Sequence, residues 1–177
     1  MSQSTDILLV EDDPGDVHLA LAVFRALGME QRCAVVNDGE EAYDFLKLRG
    51  RFAQRASGLP RLILLDLKMP RVNGFDLLQL IKADQELKLI PVVALTSSRE
   101  EQDVERAYDL GVNGYVVKSI DFTDYRATLQ ALAMYWGNVN LRPTGFVERG
   151  SPARPAALRN SRSAGVPNPW LWPLLPC

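Results

Sequence analysis

Leu62-Ile63-Leu64-Leu65-Asp66-Leu67-Lys68-Met69-Pro70 is the stretch on which the fold turns. Four apolar residues, bounded by Pro60 and by a turn running from Pro70 to Gly74, predict a central strand covered on both faces. Asp66 follows at once, so a carboxylate terminates a buried strand. In open α/β sheets ligands bind at the carboxyl ends of the strands. Taken alone, Asp66 reads equally well as the cap of a turn; the flanking sequence has to decide.

Upstream, Ile7-Leu8-Leu9-Val10 predicts a strand and Asp13-Pro14 opens a helix, with Asp13 as N-cap and Pro14 in the first turn, where its missing N–H costs nothing. Val17, Ala20, Leu21 and Phe24 follow at helical spacing until Gly28. Cys33 to Val36 predicts a second strand, and Asp38 with Glu41 forms a capping box ahead of Ala42, Phe45 and Leu46. A basic loop from Arg49 to Pro60 leads into the Asp66 strand, followed by a helix over 74–82 carrying Phe75, Leu78 and Ile81. Pro91 introduces Val92-Val93-Ala94-Leu95, ended by Thr96. Ser98 and Glu101 form a second capping box for a helix running to Leu110, stopped by Gly111. Tyr115-Val116-Val117, ended by Lys118, predicts the fifth strand. A last helix over 122–136 shows Tyr125, Leu129, Leu132 and Trp136 as a stripe suited to core or interface packing. Five alternating βα units imply a parallel sheet between helices, with adjacent units expected on alternate faces.

Composition divides the chain. Residues 1–140 hold 15 Lys/Arg against 21 Asp/Glu, whereas 141–177 hold 5 against 1. The acidic body argues against direct nucleic-acid binding, which needs clustered cations to displace counterions. Residues 141–177 also contain 7 of the 11 prolines, a composition that does not build a core. The expected organisation is therefore one domain over 1–140 and a Pro/Arg-rich, disordered tail over 141–177, whose apolar end, Trp170 to Pro176, is short and proline-broken. Cys33 and Cys177 form neither a metal-ligand spacing nor a disulfide framework. No signal peptide and no run of about 18 apolar residues is present, so a soluble cytoplasmic protein without membrane contact is expected.

Parallel strands point the same way, so Glu11-Asp12, Asp66, Thr96 and Lys118 converge on one edge. Two carboxylates about 4 Å apart repel by about 4 kcal/mol at an effective dielectric near 20. Something positive must sit among three. Lys118 supplies one charge, and hard oxygen ligands suit Mg²⁺. A metal, an ammonium and a hydroxyl donor together are built to receive a phosphoryl group, with Asp66 as nucleophile.

These residues carry a resemblance. Val10-Glu11-Asp12-Asp13, Leu65-Asp66-Leu67-Lys68-Met69-Pro70 with Asn73-Gly74, Leu95-Thr96-Ser97 and Gly114-Tyr115-Val116-Val117-Lys118 resemble bacterial response-regulator receiver domains, over about residues 5 to 136. The long loop before the third strand and Tyr135 to Asn140 after the last helix are similar to single-domain regulators paired with phytochrome-type histidine kinases. The resemblance implies a flavodoxin-like (βα)5 three-layer sandwich with strand order 2-1-3-4-5. It implies Asp66 as phospho-acceptor, Asp12 as a direct Mg²⁺ ligand, Glu11 as a ligand through water, and the main-chain carbonyl of Lys68 as a further ligand. Thr96 and Lys118 would contact the phosphoryl oxygens, and Thr96 and Tyr115 would form a two-state switch acting on the face of the fourth helix, fifth strand and fifth helix, near Tyr108. A sensor histidine kinase, such as a bacteriophytochrome, and a second copy of the chain are the expected partners. The chain would be a signalling switch, catalysing only its own phosphorylation and dephosphorylation.

Other residues read more plainly. Asp13 and Asp16 are expected as a cap and a first-turn charge, and Lys68 and Arg71 as solvated side chains, although Lys68 and Ser98 lie where they could tune phosphate lifetime. His18 is the sole histidine and reads as a surface residue, so a donor histidine must come from elsewhere. One departure from the family stands out: Lys118 precedes Ser119 rather than proline, and a cis bond there would cost about 3 to 4 kcal/mol. A trans loop with a displaced Lys118 is one outcome, strain held by the fold the other. Two further readings remain. An aspartyl phosphatase or phosphotransferase would want a second Asp where Lys68 stands, and an unphosphorylated binding module would leave the acidic set idle.

Overall fold

The structure, a computed structural model, describes residues 5–55, 58–69 and 72–141. Five strands, β1 (Ile7–Val10), β2 (Cys33–Val36), β3 (Leu62–Leu65), β4 (Val92–Thr96) and β5 (Gly114–Val117), form one parallel sheet in the order 2-1-3-4-5. Every residue of β1, β3 and β4 is buried, as continuous apolar strands covered on both faces must be, while the edge strands β2 and β5 are mostly half-buried. The helices are α1 (Pro14–Ala26), α2 (Gly39–Lys47), α3 (Gly74–Ala83), α4 (Glu101–Asp109) and α5 (Phe122–Met134).

Helices do not fall on alternate faces. Ala20, Val23 and Phe24 of α1 share one core with Tyr125, Leu129 and Ala133 of α5; α2, α3 and α4 cover the opposite face through Phe45, Phe75, Leu78, Ile81 and Ala107. Strand order supplies the reason. The β1-to-β2 connection steps one way across the sheet, whereas the next three all step the other way, and a right-handed crossover assigns each direction its own face. The stripe Tyr125, Leu129, Leu132 and Trp136 is thereby core, packed with α1 against the sheet.

Local signals hold with three exceptions. Asp13, Asp38, Asn73 and Asp121 cap their helices, each accepting a backbone N–H of the first turn. At α2 the reciprocal half of the box is shifted, because Glu41 accepts from the N–H of Asn37 rather than of Asp38. At α4 the expected Ser98–Glu101 box does not form. The helix starts at Glu101 with no side-chain cap, and Ser98 is buried, its hydroxyl turned to the carboxylate of Asp103. The last helix leaves α geometry at Met134 and continues as a π-helical turn, Tyr135–Val139, rather than running evenly to Trp136. In the basic loop, the Arg55 guanidinium lies 3.8 Å from the Phe45 ring centroid and donates to the carbonyls of Phe45 and Gly58, so that charge is structural. Pro70, Arg71 and the tail from Arg142 onward lie outside the described residues.

Candidate functional site

The register carries the strand-end residues to one rim. Val10 pairs with Leu65, Leu65 with Ala94 and Ala94 with Tyr115, so Glu11 and Asp66 leave the sheet side by side, Thr96 lies one residue further along and Lys118 two. The ladder continues into the loops, with Asp66 N–H donating to Val10 O and Lys118 N–H to Thr96 O. Because side chains alternate faces, Glu11, Asp66 and Lys118 follow the α1/α5 side. Thr96 and Tyr115 follow the α3/α4 side.

Close packing holds the end of β3 down. Asp76 N–H is capped by Asn73, and Gly74 presses on the preceding turn: a Cβ there would lie 2.3 Å from the Asp66 carbonyl oxygen and 2.6 Å from the Leu67 Cα. Only glycine permits that approach. Asp66 itself is buried, with Oδ1 accepting the N–H of Lys68 at 3.0 Å.

Glu11, Asp12 and Asp66 each present a carboxylate oxygen, all within 4.8 Å of one another. Lys118 Nζ lies 2.7 Å from Asp66 Oδ2 and 2.7 Å from Glu11 Oε2. Burial pushes the Glu11 carboxyl up to about 7, against the lowering pull of Lys118. Burial pulls the Lys118 ammonium down, but hydrogen bonds to Asp16, Asp66 and Glu11 outweigh it and hold its proton well above the usual lysine range. A buried acid that resists ionising, beside two more carboxylates, is a donor set of hard oxygens short of positive charge. It fits a divalent cation of the Mg²⁺ or Mn²⁺ class.

Lys118 is not displaced, although it precedes Ser119: the bond is trans and the ammonium reaches the site. Asp16, expected as no more than a first-turn charge, also accepts from Lys118 Nζ at 2.7 Å. Its sequence signal was only that it falls one helical turn after Asp12, and that spacing serves many first-turn acids.

Thr96 is fully buried, and its hydroxyl accepts the N–H of Ser98 at 3.4 Å. Tyr115 packs half-buried beside the α3/α4 core, its hydroxyl donating to the Ser98 carbonyl at 3.2 Å. Among the described residues neither side chain bonds to the Lys118 cluster. Lys68 is exposed yet paired, its Nζ 3.1 Å from Asp103 and 3.5 Å from Glu100, so it ties the β3–α3 loop to the start of α4. His18 is on the surface, and burial pushes the Cys33 thiol up to about 12, which makes it inert.

Comparison with known proteins agrees with this geometry. The sequence pattern of the response regulator receiver domain matches residues 7–130. The chain is 38% identical over 130 residues to response regulator Rcp1 of Synechocystis, covering 73% of this chain and 87% of that one. It is 39% identical over 137 residues to a probable methanogenesis regulatory protein, FilR2, of Methanothrix harundinacea, covering 77% and 86%. Among solved structures, the phosphorylated cyanobacterial phytochrome response regulator RcpA superposes with a TM-score of 0.73 at 34% identity, over 80% of this chain and all of that one. The Mn²⁺-bound form of Rcp1 superposes at 0.72 with 36% identity, over 78% and 99%. With the parallel sheet, the acidic rim and these likenesses in agreement, the chain belongs to the response regulator receiver family, the phosphorylation-dependent signalling switches of two-component systems.

Proposed function

We propose that Asp66 accepts a phosphoryl group from the phosphohistidine of a sensor histidine kinase, with Mg²⁺ held by Glu11, Asp12, Asp66 and the main-chain carbonyl of Lys68. A carboxylate oxygen of Asp66 attacks phosphorus, the P–N bond to the imidazole breaks, and the imidazole takes up a proton; water later attacks the acyl phosphate and restores the carboxylate. Bound metal would supply charge neutralisation at the equatorial oxygens. Lys118 donates to one of those oxygens, and Thr96 Oγ1 turns from the Ser98 N–H toward another. The observation carrying this reading is the convergence of three carboxylates within 4.8 Å, with an ammonium 2.7 Å from Asp66.

Thr96 and Tyr115 both bond to Ser98, so motion of the threonine reaches the tyrosine through one residue and then α4. The face they address comprises α4, the edge strand β5 and α5, where Tyr108, Ile120 and Phe122 are exposed. A second copy of the chain docks there. The kinase is of the phytochrome type, as RcpA's own description suggests, and works with the regulator in the cytoplasm. No helix among the described residues is long and apolar enough to cross a membrane. The switch unit is residues 1–140, the tail 141–177 stands apart from it, and the chain makes no direct contact with nucleic acid.

Incubation of the full chain with a small phosphodonor and Mg²⁺, followed by intact mass, tests the proposal. A hydroxylamine-labile phosphate adduct is expected on the native chain and none on Asp66→Asn. Steady turnover of a phosphate ester would point to a phosphatase instead, although Lys68, paired with Asp103, stands where that chemistry needs an acid. A chain that takes no phosphate at all would be an unphosphorylated binding module.

A further inference from the structure

Lys118 has three N–H donors and three partners: Glu11 Oε2, Asp16 Oδ2 and Asp66 Oδ2, each at 2.7 Å. Two of these belong to the carboxylate group that converges within 4.8 Å; Asp16 does not. A cation in that group would draw the oxygens of Glu11 and Asp66 to itself, and a phosphoryl group on Asp66 would change what Lys118 meets there. Asp16 is the one partner that neither event removes.

Asp16 is also well fixed. It lies in the first turn of α1, where Pro14 presets the backbone and Asp13 Oδ1 accepts the Asp16 N–H at 2.9 Å. Lys118, by contrast, ends the edge strand β5 and leads through Ser119 into a fully exposed Ile120. Its backbone N–H is tied to the sheet through Thr96 O at 2.8 Å. A long flexible side chain on such a loop needs an anchor to stay over the acceptor. Asp16, one-third exposed and with Oδ2 2.7 Å from the ammonium, provides one.

We infer that Asp16 is a positioning residue that holds the Lys118 ammonium over Asp66, so that the lysine remains aimed at the acceptor when Glu11 and Asp66 turn to other partners. This rests on the reading of Asp66 as acceptor. Acting through Lys118, Asp16 touches neither metal nor phosphoryl group.

A double-mutant cycle on the full chain tests it, with the phosphorylation rate from a small phosphodonor and Mg²⁺ read by intact mass. Asp16→Asn is expected to slow phosphorylation about tenfold when Lys118 is present and to have no further effect on Lys118→Ala, with Asp16→Glu recovering part of the rate. Equal slowing in both backgrounds would mean that Asp16 acts through the helix or the metal, and would overturn the inference. A second readout needs neither metal nor phosphate: the slowly exchanging Lys118 ammonium signal in ¹⁵N-resolved spectra of the metal-free protein, expected to be lost in Asp16→Asn. Its persistence would overturn the inference. Loss of that signal in a chain that takes no phosphate would uphold the anchor and sink the acceptor reading.

Discussion

At the scale of single residues, burial decides the behaviour of the site. Glu11 has a folded-state value of about 7 against an ordinary 4.5, so between those limits the folded protein binds more protons than the unfolded chain. The contribution of Glu11 to the stability of the metal-free protein is therefore expected to be full below about pH 4.5, to fall as pH rises toward about 7, and to level off above. Urea unfolding at a series of pH values checks this, and Glu11→Gln should flatten the slope. Metal binding needs the ionised carboxylate, so Mg²⁺ affinity measured by calorimetry should rise across the same window. Gly74 is a second residue-scale case. Its Cβ would overlap the Asp66 carbonyl and the Leu67 Cα, both backbone atoms that cannot swing aside. Gly74→Ala should cost about 1–3 kcal/mol as overpacking does and should also shift the acceptor, so its phosphorylation rate should fall with its denaturation midpoint. A variant of native stability and rate would show that the turn yields freely.

At the scale of elements, the helix starts differ in what secures them. Asp121 accepts the N–H groups of both Thr123 and Asp124 at the start of α5, on the surface. Asp121→Ala should cost about 1 kcal/mol in chemical denaturation, as loss of an N-cap does, with little change in phosphorylation. The start of α4 has no cap; instead Ser98, Asp103 and Lys68 link it to the loops after β4 and β3. Under the proposed switch, an uncapped helix secured by side chains from two loops would shift when those loops rearrange. Tyr115→Phe removes the bond to the Ser98 carbonyl. It should leave phosphorylation intact while shrinking the amide chemical-shift changes along α4 that follow it; unchanged shifts would place the switch elsewhere.

At the scale of the molecule, stability resides in two cores divided by the sheet. Leu64, fully buried at the centre of β3 beneath α1 and α5, contributes to the core from which Asp66 emerges. Leu64→Ala should lower unfolding free energy by about 2–5 kcal/mol, measured by denaturant titration. Association is a separate matter. The aromatic stripe of α5 is spent on the core, so the proposed second copy would use Tyr108, Ile120 and Phe122, which are exposed around the β5 edge. Sedimentation at high concentration should detect a dimer weakened by Phe122→Asp; a monomer with and without phosphate would remove that surface from the account.

What the sequence determined by itself follows from two periods and one direction. Alternation of apolar runs with helical stripes specifies five βα units, and parallel strands send every carboxyl end to one edge, so the order of Glu11, Asp12, Asp66, Thr96 and Lys118 along the chain already implied that they share a rim. Asp13 and Asp38 were legible as caps because a cap concerns neighbours within one turn. Tertiary structure alone decided the rest. Asp16 and Lys118 meet across 102 residues, Ser98 exchanges a cap for Asp103 because the strand end buries it, and α2, α3 and α4 share a face because strand order gives their crossovers one direction. Each of these depends on distances between elements, and no local pattern of side chains encodes such a distance.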